Sequence, residues 1–146
     1  MRVLTVILSA ILFVHVSQED RAPRRHLNLP GVNTGLPYSH AVLAGDTLYV
    51  AGTIGLDPET GRPPADAKEE ARLALDGIED KLALAGMTMD DLVSVQVFCP
   101  DLSLYDPFNE VYRTYFEKSF PARAFVGSGP LLRGGRFEVN GIAVRP

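Results

Sequence analysis

The feature that most constrains this chain is an apolar stripe of helical period set between extended segments. Ala67, Ala71, Leu75, Ile78, Leu82 and Ala85 recur at spacings of three and four, which places them on one face of a helix. Asp66 is positioned to cap that helix, with Glu69 three residues on to complete a capping-box pair. Glu69 and Glu70 suit the positive end of its dipole, and Gly86 is a natural stop. A helix with one apolar stripe must bury it, and the flanking segments supply a sheet. Residues 40–43 form a short apolar run, Ala44-Gly45-Asp46 turns the chain, and residues 47–51 run back, which reads as a hairpin. Asp57-Pro58-Glu59-Thr60-Gly61 is a further turn.

Beyond the helix, residues 92–99 alternate as a strand, with Val93, Val95 and Val97 to one side and Ser94, Gln96 and Phe98 to the other. A second helix is expected from a cap at Asp106, with Pro107 in its first turn and Phe108, Val111, Tyr112, Tyr115 and Phe116 on its buried face. Residues 122–127 and 137–144 are the last strands. The order β-β-α-β-α-β-β does not alternate strictly, which argues against a doubly wound parallel sheet. It predicts an α+β domain, a mixed or antiparallel sheet with two helices on one face. Val139, Ile142, Ala143 and Val144 make the last strand apolar on both faces, so the uncovered face is expected to meet another subunit.

At 146 residues the chain suits one domain with an ordinary core. A formal net charge of −4 with scattered basic residues argues against non-specific nucleic-acid binding, which needs clustered Lys and Arg. A single cysteine, Cys99, excludes a disulfide scaffold; it lies in an apolar run and reads as a small buried hydrophobe. Met1-Arg2 precedes an apolar run over residues 3–14 and then a polar stretch from Ser17. That run is too short for a stable membrane span and reads as a signal peptide over residues 1–17, giving an exported protein; without such a signal the location would be cytoplasmic. Residues 18–24 read as a linker and 25–146 as the domain, although the polar, proline-bearing character of the linker extends to Pro30.

Several chemistries lack their parts. There is no P-loop, no Gly-x-Gly-x-x-Gly and no Gly-x-Ser-x-Gly elbow. Of His15, His26 and His40, only His40 falls well inside the domain, so no metal site is expected. What remains is polar residues in apolar surroundings: Tyr38 before the first strand, Gly52-Thr53 at the end of the second, Arg123 within a strand, and Glu138 and Asn140 on one face of the last strand. A desolvated guanidinium needs a carboxylate or phosphate partner. For Arg123 that partner is either Glu138, in a purely structural pair, or a ligand.

Taken together, Leu36-Pro37-Tyr38-Ser39-His40-Ala41, the run from Tyr49 to Pro58, Phe108-Asn109-Glu110-Val111-Tyr112, Phe120-Pro121-Ala122-Arg123 and the run from Glu138 to Val144 resemble, in order and spacing, the RidA/YjgF family, also called the L-PSP endoribonuclease family. The resemblance implies a chorismate-mutase-like subunit and a homotrimer with clefts between subunits. It implies hydrolysis of reactive 2-imino and enamine acids to 2-keto acids and ammonia, without metal or organic cofactor. By the same resemblance Arg123 grips the carboxylate of a small metabolite, Tyr38 lines the cleft, Gly52 brings backbone groups to the ligand, and Asn109 is a cleft-side residue.

Two departures stand out. Asn140 occupies the position of a family glutamate thought to place the attacking water, and an amide cannot take up a proton at ordinary pH. Glu138 points to the same face, but two strand residues span roughly 6.6–6.8 Å, too far to replace it directly. Phe125 stands where a small residue or Cys is frequent and would reshape the cleft; Thr53, where Gln is frequent, is a milder change. The expectations are therefore an imine or enamine hydrolase with Arg123 and Asn140 as catalytic residues, or a non-catalytic binder of small carboxylates. RNA cleavage, which the family name carries, finds little support in an acidic domain.

Overall fold

The structure, a computed structural model, describes residues 23–31 and 35–146. The expected signal segment 1–17 and residues 18–22 of the expected linker lie outside the described residues. The strands are β1 (Arg25–Leu27), β2 (Ala41–Ala44), β3 (Thr47–Ile54), β4 (Leu92–Cys99), β5 (Ala122–Gly127) and β6 (Glu138–Val144); the helices are α1 (Ala67–Ala83) and α2 (Tyr105–Tyr112). Among the described residues they form one sheet in the order β1-β2-β3-β6-β4-β5. All pairs are antiparallel except β4 with β5. This is the expected mixed sheet with both helices on one face, with one strand added. β1 lies in the stretch read as polar leader and pairs Leu27 with Ala41; three residues are too few for a period to show.

The β2–β3 hairpin closes through Gly45 and Asp46, with Ala44 opposite Thr47. Gly45 has φ +60°, which a residue without Cβ adopts at little cost. In α1, Asp66 accepts from Lys68 N–H as expected. Glu69 pairs with Arg72 at 2.8 Å, the geometry of a surface pair three residues apart. The helix ends with Met87 N–H on the Leu82 carbonyl and Gly86 N–H on that of Ala83, a Schellman ending. Ala71, Leu75, Ile78 and Leu82 are fully buried against β3 and β6 residues such as Leu48, Val139 and Ala143.

Two sequence readings need correction, and one buried group adds to them. The cap of the second helical segment is Asp101, which accepts from Ser103 N–H and starts a single 3-10 turn; Asp106 lies inside α2. On β4 the buried residue is Leu92, and Val93 is exposed, because a register shift between Leu92 and Ser94 breaks the alternation. Glu70 faces inward and is completely buried: its carboxylate accepts from the Arg136 backbone at 2.6 Å, the Arg136 side chain at 2.5 Å and the Phe137 backbone at 3.2 Å. Arg136 also donates to the carbonyls of Pro64 and Ala65. This cluster ties the start of α1 to the chain entering β6.

Candidate functional site

Two corners of the sheet gather the polar residues, and they face opposite ways. On β4 and β5, Val95 stands opposite Arg123 and Val97 opposite Phe125; Val95 and Val97 are buried under the helices. Arg123 and Phe125 therefore point to the helix side. On β4 and β6, Gln96 stands opposite Asn140 and Phe98 opposite Glu138, so those four share the open face. Arg123 and Glu138 consequently do not pair.

The first corner is a cation among rings. The Arg123 guanidinium carbon lies 4.5 Å from the Tyr112 ring centre, with Tyr105, Phe125 and Phe108 at 5.7, 5.8 and 6.0 Å. Phe125 is edge-on to Tyr105 and to Phe108, at 5.0 and 5.5 Å between ring centres. Guanidinium is weakly hydrated and stays charged, so ring faces can hold it where an ammonium would suffer more. Its Nη2 donates to Asn109 Oδ1 at 2.7 Å. Its Nη1 is buried and, among the described residues, has no hydrogen-bond partner; the same holds for the Tyr112 hydroxyl. Burial pushes the Tyr112 phenol up to about 12, against the pull of Arg123. Asn109, Tyr112, Arg113, Phe120, Pro121 and Arg123 enclose a cavity of about 210 Å³. α2 makes this corner, because Asn109 and Tyr112 fall on one helical side three residues apart.

The second corner is a β-bulge. Between the pairs Val50–Gly141 and Thr53–Val139, β3 carries two residues, Ala51 and Gly52, against the single Asn140 of β6. A side chain on Gly52 would collide with the Glu138 carboxylate, so glycine is what allows Glu138 to lie over the bulge. Ala51 N–H donates to the His40 carbonyl at 3.0 Å. The exposed Tyr38 ring stands edge-on to His40 with 6.1 Å between centres. His40 is buried, with Nδ1 3.1 Å from Asn28 Oδ1, and its pKa is lowered by burial and then by the Lys81 charge.

Lys81 was missed from the sequence. It is 4% exposed and reaches from α1 to the bulge, donating to the Ala51 and Gly52 carbonyls at 3.0 and 3.1 Å and to Thr53 Oγ1 at 2.6 Å. Burial lowers its pKa to about 8, while the Glu138 carboxylate pulls it up. A signal was present: Lys81 follows Ile78 by three residues and precedes Ala85 by four, so it interrupts the apolar stripe.

The structure thus brings Arg123, Asn109 and Phe125 together at one corner, and Gly52 and Glu138 at the other, with Asn140 opposite the bulge and Tyr38 beside His40. Among the described residues, no group of three or more His, Cys, Asp or Glu is arranged to hold a metal, and no helix is long and apolar enough to cross a membrane. Cys99 is fully buried, its thiol donating to the Asp101 carbonyl at 3.0 Å and pushed up in pKa mainly by burial.

The chain matches the family described as Endoribonuclease L-PSP over residues 32–145. It is 41% identical over 110 residues to 2-iminobutanoate/2-iminopropanoate deaminase of Bos taurus, covering 75% of this chain and 80% of that protein. Among solved structures it resembles the YjgF gene product of E. coli, with TM-score 0.73 and 31% identity over 83% of this chain and 94% of that one. It also resembles E. coli TdcF with bound serine, with TM-score 0.72 and 31% identity over 84% and 94%. Sequence, sheet order and helix placement agree: the chain belongs to the RidA/YjgF family and has its chorismate-mutase-like fold.

Proposed function

We propose that this protein hydrolyses reactive 2-imino or enamine acids to 2-keto acids and ammonia, in a site completed by a second copy of the chain. The observation that carries the reading is the buried Nη1 of Arg123, unpartnered among the described residues, beside a cavity of about 210 Å³, with Nη2 fixed by Asn109. A guanidinium with one half held by the protein and a donor still free is suited to grip a carboxylate. The deaminase name of the Bos taurus relative and the serine bound to TdcF support the same ligand class.

Arg123 and the Asn140–Glu138 face point to opposite sides of the sheet, so one chain does not present both to one small molecule. Tyr49, Val93 and Val144 are exposed apolar residues, and Ile142 lies on the open face beside Asn140. Burial of that face in a homotrimer would bring the bulge corner of one copy to the arginine corner of the next. Arg123 then holds the carboxylate, Gly52 N–H donates to the imine nitrogen, and Asn140 holds the water. Water oxygen adds to the imine carbon, and the C=N pair moves to nitrogen, which takes up the proton that the water gives up. The hydroxyl proton of the carbinolamine then passes to nitrogen, and the intermediate collapses to C=O as the C–N bond breaks and ammonia leaves. Imines hydrolyse readily, so positioning supplies much of the acceleration.

The test is hydrolysis of imines generated in place by an amino-acid oxidase, with Arg123→Ala as control. Acceleration lost in the variant, with folding intact, supports the reading; no acceleration over a panel of imines overturns it. Asn140 in place of a carboxylate favours one second reading, a non-catalytic binder of small carboxylates; calorimetry with 2-keto acids tests it. Export, read from residues 1–17, belongs to the proposal and is tested by fractionation of the expressing cell.

A further inference from the structure

We infer that Lys81 is a positioning residue of the bulge corner: by holding the Ala51 carbonyl from the helix side, its ammonium fixes and polarises the Ala51–Gly52 peptide so that Gly52 N–H is presented, as a strengthened donor, to the ligand side where Glu138 stands. Only what the donor meets, the imine nitrogen, rests on the function proposed above.

In a regular strand, successive carbonyls point in opposite directions. Here the carbonyls of Ala51 and Gly52 both reach one nitrogen, at 3.0 and 3.1 Å. The bulge permits this by adding a residue opposite Asn140. A trans peptide sets N–H opposite to C=O. With the Ala51 carbonyl drawn toward α1, the N–H of Gly52 is turned toward the other side of the sheet, and there the Glu138 carboxylate covers the residue. Thr53 Oγ1, at 2.6 Å, takes the third ammonium proton, so Lys81 has no donor left for a ligand. It acts through the peptide.

A cation on a carbonyl draws electron density from the amide and makes its N–H a stronger donor, most of all in a low-dielectric setting. As water adds to the imine carbon, charge builds on nitrogen, so a stronger donor at Gly52 assists the reaction more than it assists binding. Two charged or titratable groups bear on Lys81 from neighbouring elements: the Glu138 carboxylate of β6 and the His40 ring before β2. With its pKa lowered, His40 is neutral from pH 7 to 9, and burial brings the Lys81 ammonium to titrate near 8 in that window.

The experiment uses the full chain and the variants Lys81→Gln, which retains a donor without the charge, and Lys81→Met. The Gly52 amide resonance is followed by heteronuclear NMR from pH 7 to 9, and imine hydrolysis is measured alongside. The expected result is a Gly52 amide shift with midpoint near pH 8 in the unmodified protein and none in Lys81→Gln. With it goes a fall in kcat of about tenfold with KM within about twofold, below the 10²–10³ seen when an oxyanion donor is removed outright. A flat Gly52 titration in the unmodified protein, or an unchanged kcat in folded Lys81→Gln, overturns the inference. If the unmodified protein hydrolyses no imine, the functional reading falls, and the Gly52 titration alone decides the role of Lys81. If Lys81→Met does not fold, Lys81→Gln and the titration still decide it.

Discussion

The two corners each draw a cation into the protein, Lys81 buried and Arg123 half-buried, and the cations are used differently. Arg123 sits among rings and, among the described residues, has one hydrogen bond, to Asn109, and an Nη1 without a partner. Lys81 has all three ammonium protons on the protein, on two carbonyls and a hydroxyl. Burial alone therefore does not mark a ligand-binding group; what marks it is a donor left over after the protein's own acceptors are counted. Arg136 belongs with Lys81 in this respect, since Glu70 and two carbonyls surround it.

The contrast can be broken by removing each cation. Arg123→Ala is expected to lower kcat/KM at least about 100-fold, with thermal stability nearly unchanged because rings and Asn109 remain solvated or packed. Enzyme kinetics and a melting curve on the same sample check it, and a large loss of stability would place Arg123 with the structural cations. Lys81→Met should do the reverse to stability, costing about 1–3 kcal/mol because three buried acceptors lose their partner; urea unfolding reads this directly.

Two smaller effects sharpen the second corner. Asn140→Glu restores a proton acceptor opposite the bulge and is expected to raise turnover about tenfold, short of the 10²–10⁴-fold a well-placed general base supplies; an unchanged rate would remove Asn140 from the water-holding role. Gly52→Ala pushes the flexible Glu138 side chain aside, so stability should change by less than about 1 kcal/mol while turnover falls several-fold. The smallest effect is in pH. The Lys81 pKa is about 8 in the fold and higher in the unfolded chain, so above pH 8 the unfolded chain binds the extra proton. Taken as the difference from Lys81→Gln, in which Cys99 and the tyrosines respond to pH alike, stability should rise as pH increases from about 8. Denaturant midpoints at pH 7.5, 8.5 and 9 would show it.

Much of the fold was legible because its signals are local. The α1 stripe, the Asp66 cap and the Gly45 turn depend on residues a few positions apart, and they predicted their elements to within a few residues. The candidate site was legible in part. Arg123 was visible as a charge in a strand, and Asn140 as an amide where the resemblance expects a carboxylate. Residue types alone allow Arg123 to pair with Glu138, and the sheet register rules this out by placing them on opposite faces. Lys81 and Glu70 were readable only as interruptions of the stripe, and the partners that explain them lie 28 and 66 residues away.

The sequence by itself determined the order of elements, the α+β class and the residue types able to hold a carboxylate, because hydrophobic period and turn chemistry act within a few residues. Only the tertiary structure decided that β1 extends the sheet, that Ala51 and Gly52 share one partner in Asn140, and that a lysine of α1 sits beneath them. Those outcomes follow from strand register and burial. A single inserted residue redirects carbonyls and side chains, and whether a charge can be buried depends on acceptors that only the folded chain assembles.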